Sequence, residues 1–422
     1  MTHPLDLSSL RAKFPALQEK DDQGRPYVFF DGPGGTQVPQ SVIDATIDYF
    51  TRANANRGGH FITSQRTDAM IGQARQAMAD FLNAADPKEI VFGGNMTTLT
   101  YNLSRTIART LQPGDEVVVS WLDHDANVSP WLALEEQGIN VQWIDFNVAD
   151  CRLDLDHLAS LLTEKTKLIA VGYASNAVGT INPIGRIAAL ARNMGALLWV
   201  DAVHYAPHGP IDVQSLGCDF LTCSAYKFFG PHLGVLWGKY DLLDSLQAYQ
   251  VRPSAGRTPG KFETGTPDLE GIAGTLAAVN YLAELGEIFG SQFAADFERY
   301  EGRRRLLKQA MKTIAIYERD LFTYLMAELQ TVPDLTIYGI TQPEEFKERC
   351  PTVAFTRAGF SPAQVAAHLG QRGIFVWDGN YLALNVTERL GVEDSGGMVR
   401  VGLAHYNTKA EVDRLIAGLR EM

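Results

Sequence analysis

The most restrictive feature of this sequence is the alternation of short apolar runs with helical stretches between residues 88 and 238. The runs are rich in β-branched and aromatic residues, and the stretches between them, near 98–111, 128–138, 155–163 and 184–194, have helical spacing. Such alternation predicts a mostly parallel sheet with helices on both faces, because each parallel connection needs a crossover. The sequence therefore predicts an α/β fold with seven strands, at 90–92, 116–119, 141–144, 168–171, 196–200, 220–222 and 233–237.

The pattern changes after about residue 275. Long helical stretches lead to a few separate strand candidates and then to a final helix from Lys409, which is typical of an α+β domain. The helices are predicted at 270–290, 292–312 and 318–330, and the strands at 336–338, 352–355 and 374–377. We therefore predict a large domain of residues 25–280 and a smaller domain formed by residues 1–24 and 281–422.

Charge and composition limit the function classes that fit. A formal net charge of -12 argues against a nucleic-acid-binding surface. There is no apolar run of about 18 residues, and the first residues lack the basic and apolar regions of a signal peptide. We therefore expect a cytoplasmic protein without a membrane segment. The four cysteines form no metal-binding pattern, so no metal site is predicted.

Lys227 and Asp201 each follow a predicted strand. A lysine at the end of a buried strand is poorly solvated and therefore suited to chemistry, although most lysines are ordinary surface charges. Asp201 directly follows the aliphatic run at 196–200, where a carboxylate needs a cation or a hydrogen-bond donor as a partner. A protonated ring nitrogen would be such a partner.

Three other predicted strands are followed by polar side chains. Thr97 and Thr98 stand at a helix start, where they could bind an anion or simply cap the helix. His124 could stack on a flat ligand or be an ordinary histidine at a helix start. Asn176 could bond a ligand oxygen or shape a turn.

Since ligands collect at the carboxyl ends of parallel strands, these side chains should lie together. Together they match one ligand, pyridoxal 5′-phosphate (PLP). Its phosphate needs an anion site, its flat ring a stacking partner, its ring nitrogen a carboxylate and its aldehyde a lysine. The predicted PLP contacts are those of Thr97, Thr98, His124, Asp201 and Lys227.

Further motifs join these residues in one order along nearly the whole chain. They are Tyr27-Val28-Phe29-Phe30-Asp31, Asn54-Ala55-Asn56-Arg57-Gly58-Gly59-His60, Asp123-His124-Asp125-Ala126-Asn127, Ser175-Asn176, Gly265-Thr266-Pro267 and Arg400. With them the chain resembles the class V aminotransferase family, and within it the cysteine desulfurase and selenocysteine lyase group. The resemblance implies the PLP-dependent transferase fold type I and a homodimer whose active sites are shared between subunits.

The resemblance also implies roles for the matching residues at the cofactor. Lys227 would form the Schiff base with PLP and move the substrate proton, while Asp201 would hold the ring nitrogen and His124 would stack on the ring. Ser224 would join Thr98 at the phosphate.

Other roles concern the substrate and the second subunit. Arg400 and Asn176 would hold the substrate carboxylate, since a guanidinium can bond both oxygens. Thr266 would reach the phosphate of the neighbouring subunit. His204 and Tyr226 stand where the family usually has glutamine and histidine, and both would lie beside the cofactor.

The C-terminal loop departs from the family pattern. Desulfurases carry an arginine and a cysteine there, and the cysteine thiolate takes up sulfur from the substrate. This chain has Trp377 in place of the arginine and Leu382 near the cysteine position, and a leucine cannot be a nucleophile. Cys350 and Cys223 belong to strand regions, which are not the exposed, mobile setting that a sulfur relay needs.

We therefore expect a PLP-dependent enzyme that acts on a small amino acid, by β-elimination at a C–S bond through Lys227. The alternatives are a cysteine desulfurase with a non-standard thiol, a class V aminotransferase or epimerase, and a PLP-binding protein without turnover.

Overall fold

A computed structural model of the protein describes residues 5–254 and 256–422. Its largest sheet has seven strands, and their order across the sheet, numbered along the chain, is β1-β7-β6-β5-β4-β2-β3. All are parallel to one another except β7, which is antiparallel to both of its neighbours. The strands are β1 Ile90–Gly93, β2 Glu116–Ser120, β3 Asn140–Ile144, β4 Thr166–Gly172, β5 Leu197–Asp201, β6 Phe220–Ser224 and β7 Gly234–Gly238. The predicted mostly parallel seven-stranded sheet is therefore confirmed.

Alternating side chains of these strands pack into different cores. In β2, Val118 belongs to one hydrophobic cluster, whereas Val117 and Val119 belong to a second cluster. Successive strand residues point to opposite faces, so a sheet that is covered on both faces needs apolar residues at nearly every position. This is why most of these strands appear in the sequence as continuous apolar runs; the edge strand β3, which is only partly buried, contains Asn140 and Gln142.

The ends of the crossover helices follow from the local sequence. The helix Ile184–Met194 buries Ile187 and Ala191, four residues apart, and ends at Gly195 in a left-handed conformation with φ of 68°. The predicted helix at 128–138 is instead a short helix followed by a 3₁₀ turn. The helices are Leu7–Ala12, Gln40–Arg52, Ile62–Leu82, Met96–Ala108, Ser129–Leu132, Leu155–Leu161, Ile184–Met194, Val213–Leu216, Tyr240–Ser245, Leu269–Phe289, Gly302–Leu329, Pro362–Gly370, Leu384–Arg389 and Lys409–Arg420.

A second, antiparallel sheet lies in the C-terminal part of the chain. Its strands are β8 Leu335–Tyr338, β9 Thr352–Arg357, β10 Trp377–Gly379 and β11 Met398–Gly402, in the order β8-β9-β11-β10. The predicted strand 374–377 is divided, because Ile374–Phe375 pairs in parallel with Val28–Phe29.

The prediction of separate helices at 292–312 and 318–330 is wrong. Gly302–Leu329 is one continuous helix of 28 residues, and two 3₁₀ turns precede it. Gly302 has φ of 52°, a conformation that other residues rarely adopt, so the helix begins there.

The division into two domains stays a prediction, and the helix Leu269–Phe289 runs across the predicted boundary at 280. The residues Met1–Pro4, which entered the signal-peptide argument, lie outside the part of the chain that the structure describes. No helix in that part is both long and apolar enough to cross a membrane.

Candidate active site

Residues at the carboxyl ends of β1, β2, β4, β5 and β6 surround one cavity of about 590 Å³. Nine of the predicted site residues line it: Thr97, His124, Asn176, Asp201, His204, Ser224, Tyr226, Lys227 and Arg400. Two others are not among its lining residues. Thr98 bonds Asn95 Oδ1 through its hydroxyl group at 2.9 Å, and Thr266 is exposed.

Lys227 lies on a 3₁₀ turn directly after β6, and only 9% of its surface is exposed. Its Nζ donates a hydrogen bond to the carbonyl of Pro33, which belongs to the turn Gly32–Gly34. Burial and the neighbouring Arg400 lower the pKa of Lys227 to about 7, so a large share of its side chains is neutral at neutral pH. A neutral amine is the form that reacts with aldehydes. The role of Pro33 was not predicted from the sequence.

Asp201 ends β5 with a buried carboxylate. Its Oδ1 accepts a hydrogen bond of 2.8 Å from the backbone N–H of Val203. Burial and, to a smaller extent, the nearby Asp123 raise the pKa of Asp201 to about 7, although the bond from Val203 N–H and the neighbouring Lys227 oppose the shift. A cation or a further hydrogen-bond donor beside this buried carboxylate would stabilise its ionised form.

Asp123 is a site residue to which the sequence analysis gave no role. It is buried at the cavity wall, accepts hydrogen bonds from the backbone N–H of Gly172 and from Asn127 Nδ2, and has a pKa raised by burial to about 6. It ties the loop that carries His124 to the end of β4. Its place directly after β2 was the available signal.

His124 is neutral in this environment. Its Nδ1 accepts a hydrogen bond of 3.0 Å from Ala126 N–H, which places the ring proton on Nε2. Burial, Lys227 and Arg400 lower the pKa of His124 to about 4.

The N-terminus of the helix Met96–Ala108 borders the cavity through Asn95 and Thr97. Asn95 caps this helix by accepting a hydrogen bond from Thr98 N–H at 2.8 Å, so the alternative that a threonine is the cap is wrong. On strand β7, a Cβ at Gly234 would lie 2.3 Å from the carbonyl carbon of Asn95, so glycine is needed for this close approach. The helix dipole makes this end of the cavity favourable for an anion.

Arg400 on β11 reaches the cavity from the second sheet. Its Nη1 donates to the carbonyl of Asn176 at 2.8 Å, and its guanidinium lies 4.3 Å from the centre of the Tyr381 ring. Its Nε is buried without a hydrogen-bond partner among the described residues. Burial lowers the pKa of Arg400 to about 10, so the guanidinium stays charged at neutral pH. Its Nε can still donate a hydrogen bond to an acceptor.

The exposed residues in the lining of the cavity include the apolar Trp377 and Leu382 and the acidic Asp378. Trp377 and Leu382 line it and are 50% and 64% exposed. All four cysteines are buried elsewhere, and burial raises the pKa of each thiol. No described residue that lines the cavity is a cysteine.

Fold and site together define a PLP-dependent transferase architecture of fold type I. The sequence matches the model of the class V aminotransferases over residues 28–292 and 303–415, and the chain belongs to this family.

Among curated proteins, a cysteine desulfurase of Pectobacterium atrosepticum is 34% identical, over 100% of this chain and 98% of its own length. The solved structure of the cysteine desulfurase CsdA from Escherichia coli matches with a TM-score of 0.82 and 29% identity, covering 99% of this chain and 98% of that chain. A cysteine desulfurase from Thermococcus onnurineus matches with a TM-score of 0.84 and 25% identity, covering 98% and 97%. The chain is thus a cysteine desulfurase-like member of its family.

Proposed function

We propose that this protein is a PLP-dependent enzyme that cleaves a C–S bond of a small α-amino acid by β-elimination. The observation that carries the proposal is a cavity that combines a buried lysine and a buried carboxylate but has no cysteine in its described lining. The two residues that we assign to the cofactor chemistry thus share a cavity whose described lining offers no thiol as a sulfur acceptor.

The residues around the cavity fit PLP. Burial raises the pKa of Asp201, and a protonated pyridine nitrogen beside it would stabilise the ionised carboxylate. The helix end at Thr97, together with Ser224, suits the phosphate group, and the neutral ring of His124 suits stacking. Lys227 has the lowered pKa that attachment to an aldehyde requires.

When bound, PLP withdraws electrons from the Cα atom of an amino acid attached to it. Asp201 would keep the ring nitrogen protonated, which this withdrawal needs. With its amine facing the cavity, Lys227 would take the proton from the Cα atom of the substrate. Because burial lowers its pKa to about 7, Lys227 can both accept and return this proton near neutral pH.

Arg400 would bind the substrate carboxylate. Its Nη1 is occupied by Asn176 O, and stacking on Tyr381 restricts the guanidinium plane. Arg400 would thereby orient the Cα–H bond towards Lys227, which gives the proton transfer its geometry.

The β substituent would leave as a free thiol or persulfide into the cavity. With cysteine the balanced reaction is cysteine plus water to pyruvate, ammonia and hydrogen sulfide, and no enzyme thiol is consumed. A desulfurase would instead convert cysteine to alanine and pass the sulfur to a thiol.

The products therefore decide between the two functions. The holoprotein would be incubated with L-cysteine and with L-cystine, and pyruvate, sulfide and alanine would be measured. Pyruvate from either substrate supports the proposal, whereas alanine without pyruvate would establish desulfuration. Lys227→Ala is the control for chemistry by free PLP, and absence of all three products would overturn the C–S lyase assignment.

The family match itself favours one second candidate, transamination or epimerisation at Cα. Deuterium exchange at Cα without elimination, or transfer of the amino group to a keto acid, would identify it. Borohydride trapping at Lys227 without turnover of any amino acid would point to a binding protein.

We also infer a cytoplasmic homodimer, in which the exposed Thr266 serves the neighbouring active site. Light scattering of the holoprotein tests the oligomeric state. A monomer with full activity would refute the shared site.

A further inference from the structure

Trp377 lies at the catalytic cavity, next to the residue that would hold the substrate carboxylate. It begins β10 and is the cross-strand partner of Arg400 on β11. Residues that are directly opposite each other in an antiparallel pair project their side chains from the same face, with Cβ atoms about 5 Å apart. The indole ring and the guanidinium group are therefore neighbours on the face of the second sheet that borders the cavity.

The indole ring also packs on the turn Gly32–Gly34. A Cβ at Gly34 would lie 2.2 Å from Nε1 of Trp377, so the glycine leaves the room that the ring occupies. The residue before it, Pro33, accepts the hydrogen bond from Lys227 Nζ. One short turn thus contacts both the indole and the lysine, which places Trp377 close to the amine that would take the Cα proton.

The bonds at the substrate Cα atom direct the rest of the substrate towards Trp377. The carboxylate would lie at Arg400, the hydrogen would face Lys227, and the amine would face the cofactor. The fourth bond leads to Cβ and then to sulfur. Among the described lining residues, Trp377 and Leu382 offer exposed apolar surface that none of the other three groups occupies.

The chemistry of this surface favours an apolar substituent on the sulfur atom. A thiol hydrogen would leave the indole ring and the leucine side chain in contact with water, whereas an alkyl or aryl group would cover them. Aromatic rings also make favourable contacts with sulfur. Asp378 lies in the same lining and is exposed, so a substituent with a negative charge would be repelled.

We propose that Trp377 and Leu382 are specificity-determining residues, and that the preferred substrate is an L-cysteine whose sulfur carries an uncharged apolar group. This inference rests on the proposed C–S lyase function and names its substrate class. In the balanced reaction, S-alkyl-L-cysteine and water give pyruvate, ammonia and the alkanethiol. The C–S bond breaks, and the sulfur atom keeps the electron pair and takes up a proton.

The test is a series of S-methyl-, S-ethyl- and S-propyl-L-cysteine, given to the holoprotein, with kcat/KM measured from the release of pyruvate. The three leaving thiols have nearly equal acidity, so the series reports how the substituent is bound. Each added methylene group should raise kcat/KM about fourfold. S-carboxymethyl-L-cysteine should be at least about 10-fold poorer than S-isobutyl-L-cysteine, which has a similar shape but no charge.

Trp377→Ala should flatten this series. It should lower kcat/KM for S-propyl-L-cysteine at least about 10-fold and that for S-methyl-L-cysteine less than about threefold, because only the longer substituent covers the indole. Phe360→Ala is the matched control: Phe360 is also an exposed aromatic residue, but it follows β9 and is not among the described residues that line the cavity. This control should leave the slope of the series unchanged.

A wild-type series that is flat, or a Trp377→Ala series as steep as that of the wild type, would overturn the inference. If Trp377→Ala does not fold, Leu382→Ala decides, since it should flatten the series in the same direction. The proposed function fails separately. No pyruvate from L-cysteine, L-cystine or any S-alkyl-L-cysteine would refute the C–S lyase, whereas pyruvate from L-cysteine or L-cystine with no gain from longer substituents refutes only the role of Trp377 and Leu382.

Discussion

Replacing Asp201 with asparagine should make the cofactor-free protein more stable at pH 8. Asparagine keeps an oxygen that can accept the Val203 N–H bond, and it removes the buried charge. Burial raises the pKa of Asp201 from 3.8 to about 7. Each pKa unit corresponds to about 1.4 kcal/mol, so the ionised carboxylate costs the folded state about 4 kcal/mol.

The sign of this effect sets its pH dependence. Because the pKa of Asp201 is raised in the folded state, the unfolded state ionises first, and the folded state loses stability as the pH rises. The advantage of Asp201→Asn should therefore be near zero at about pH 4, grow up to about pH 7 and stay constant above it.

Urea unfolding of the apoprotein, followed by circular dichroism at pH 5 and pH 8, measures the difference. In the holoprotein the order should reverse, because the wild-type carboxylate then pairs with the ring nitrogen. Asp145→Asn is the matched control: hydrogen bonds from Arg389 lower the pKa of Asp145, so this substitution should not stabilise the protein at pH 8. An Asp201→Asn apoprotein that is no more stable than the wild type at pH 8 would refute the argument from burial.

Three shorter predictions concern the chemistry. Lys227→Ala should prevent borohydride from trapping the cofactor and should lower turnover at least about 10³-fold; trapping in this variant would exclude Lys227 as the attachment site. Arg400→Lys should raise KM about 10-fold or more with a smaller change in kcat, since lysine cannot bond both carboxylate oxygens, and an unchanged KM would contradict carboxylate binding. A thiol reagent should leave all four buried cysteines of the native protein unmodified while it modifies Leu382→Cys rapidly; a fast native thiol would instead favour a desulfurase.

The main sheet could be predicted because each of its strands is specified by a short stretch of neighbouring residues. Most of its strands are buried on both faces and appear as separate apolar runs, and the residues after these runs lie at the functional edge. Asp201 and Lys227 were recognisable from the residues alone for this reason. Topology brought them to one cavity, as the rule for parallel strands requires.

Contacts between distant segments could not be predicted in this way. The bond of Lys227 to Pro33 joins residues 194 positions apart, and no local pattern encodes it. Arg400 was found through the family resemblance alone, because its strand β11 was not recognised. The start of the long helix was predicted at 292 instead of 302 because Gly302, where the helix begins, looks in sequence like any other glycine.

The loop with Tyr381 and Leu382, which lacks the cysteine, is held in one conformation. Such a loop can form the side of a cavity, whereas a sulfur-carrying loop has to move. Tyr381 and Leu382 both have φ of 57°, which costs bulky residues about 1 kcal/mol or more each. Two hydrogen bonds hold them there, from Asn176 Nδ2 to Tyr381 O at 2.9 Å and from Asp125 N–H to Leu382 O at 2.7 Å.

A relay thiol has to move between the substrate and an acceptor, whereas this loop is tied to the ends of β2 and β4. Asn176 accepts from Arg400 through its backbone and holds Tyr381 through its side chain, so one residue couples the mouth to the carboxylate site. For the proposed elimination, this fixed loop, with Trp377, Asp378 and Leu382 in the cavity lining, would retain substrate above Lys227 and let the sulfur product leave unbound. Elimination needs both properties, and neither requires a cysteine.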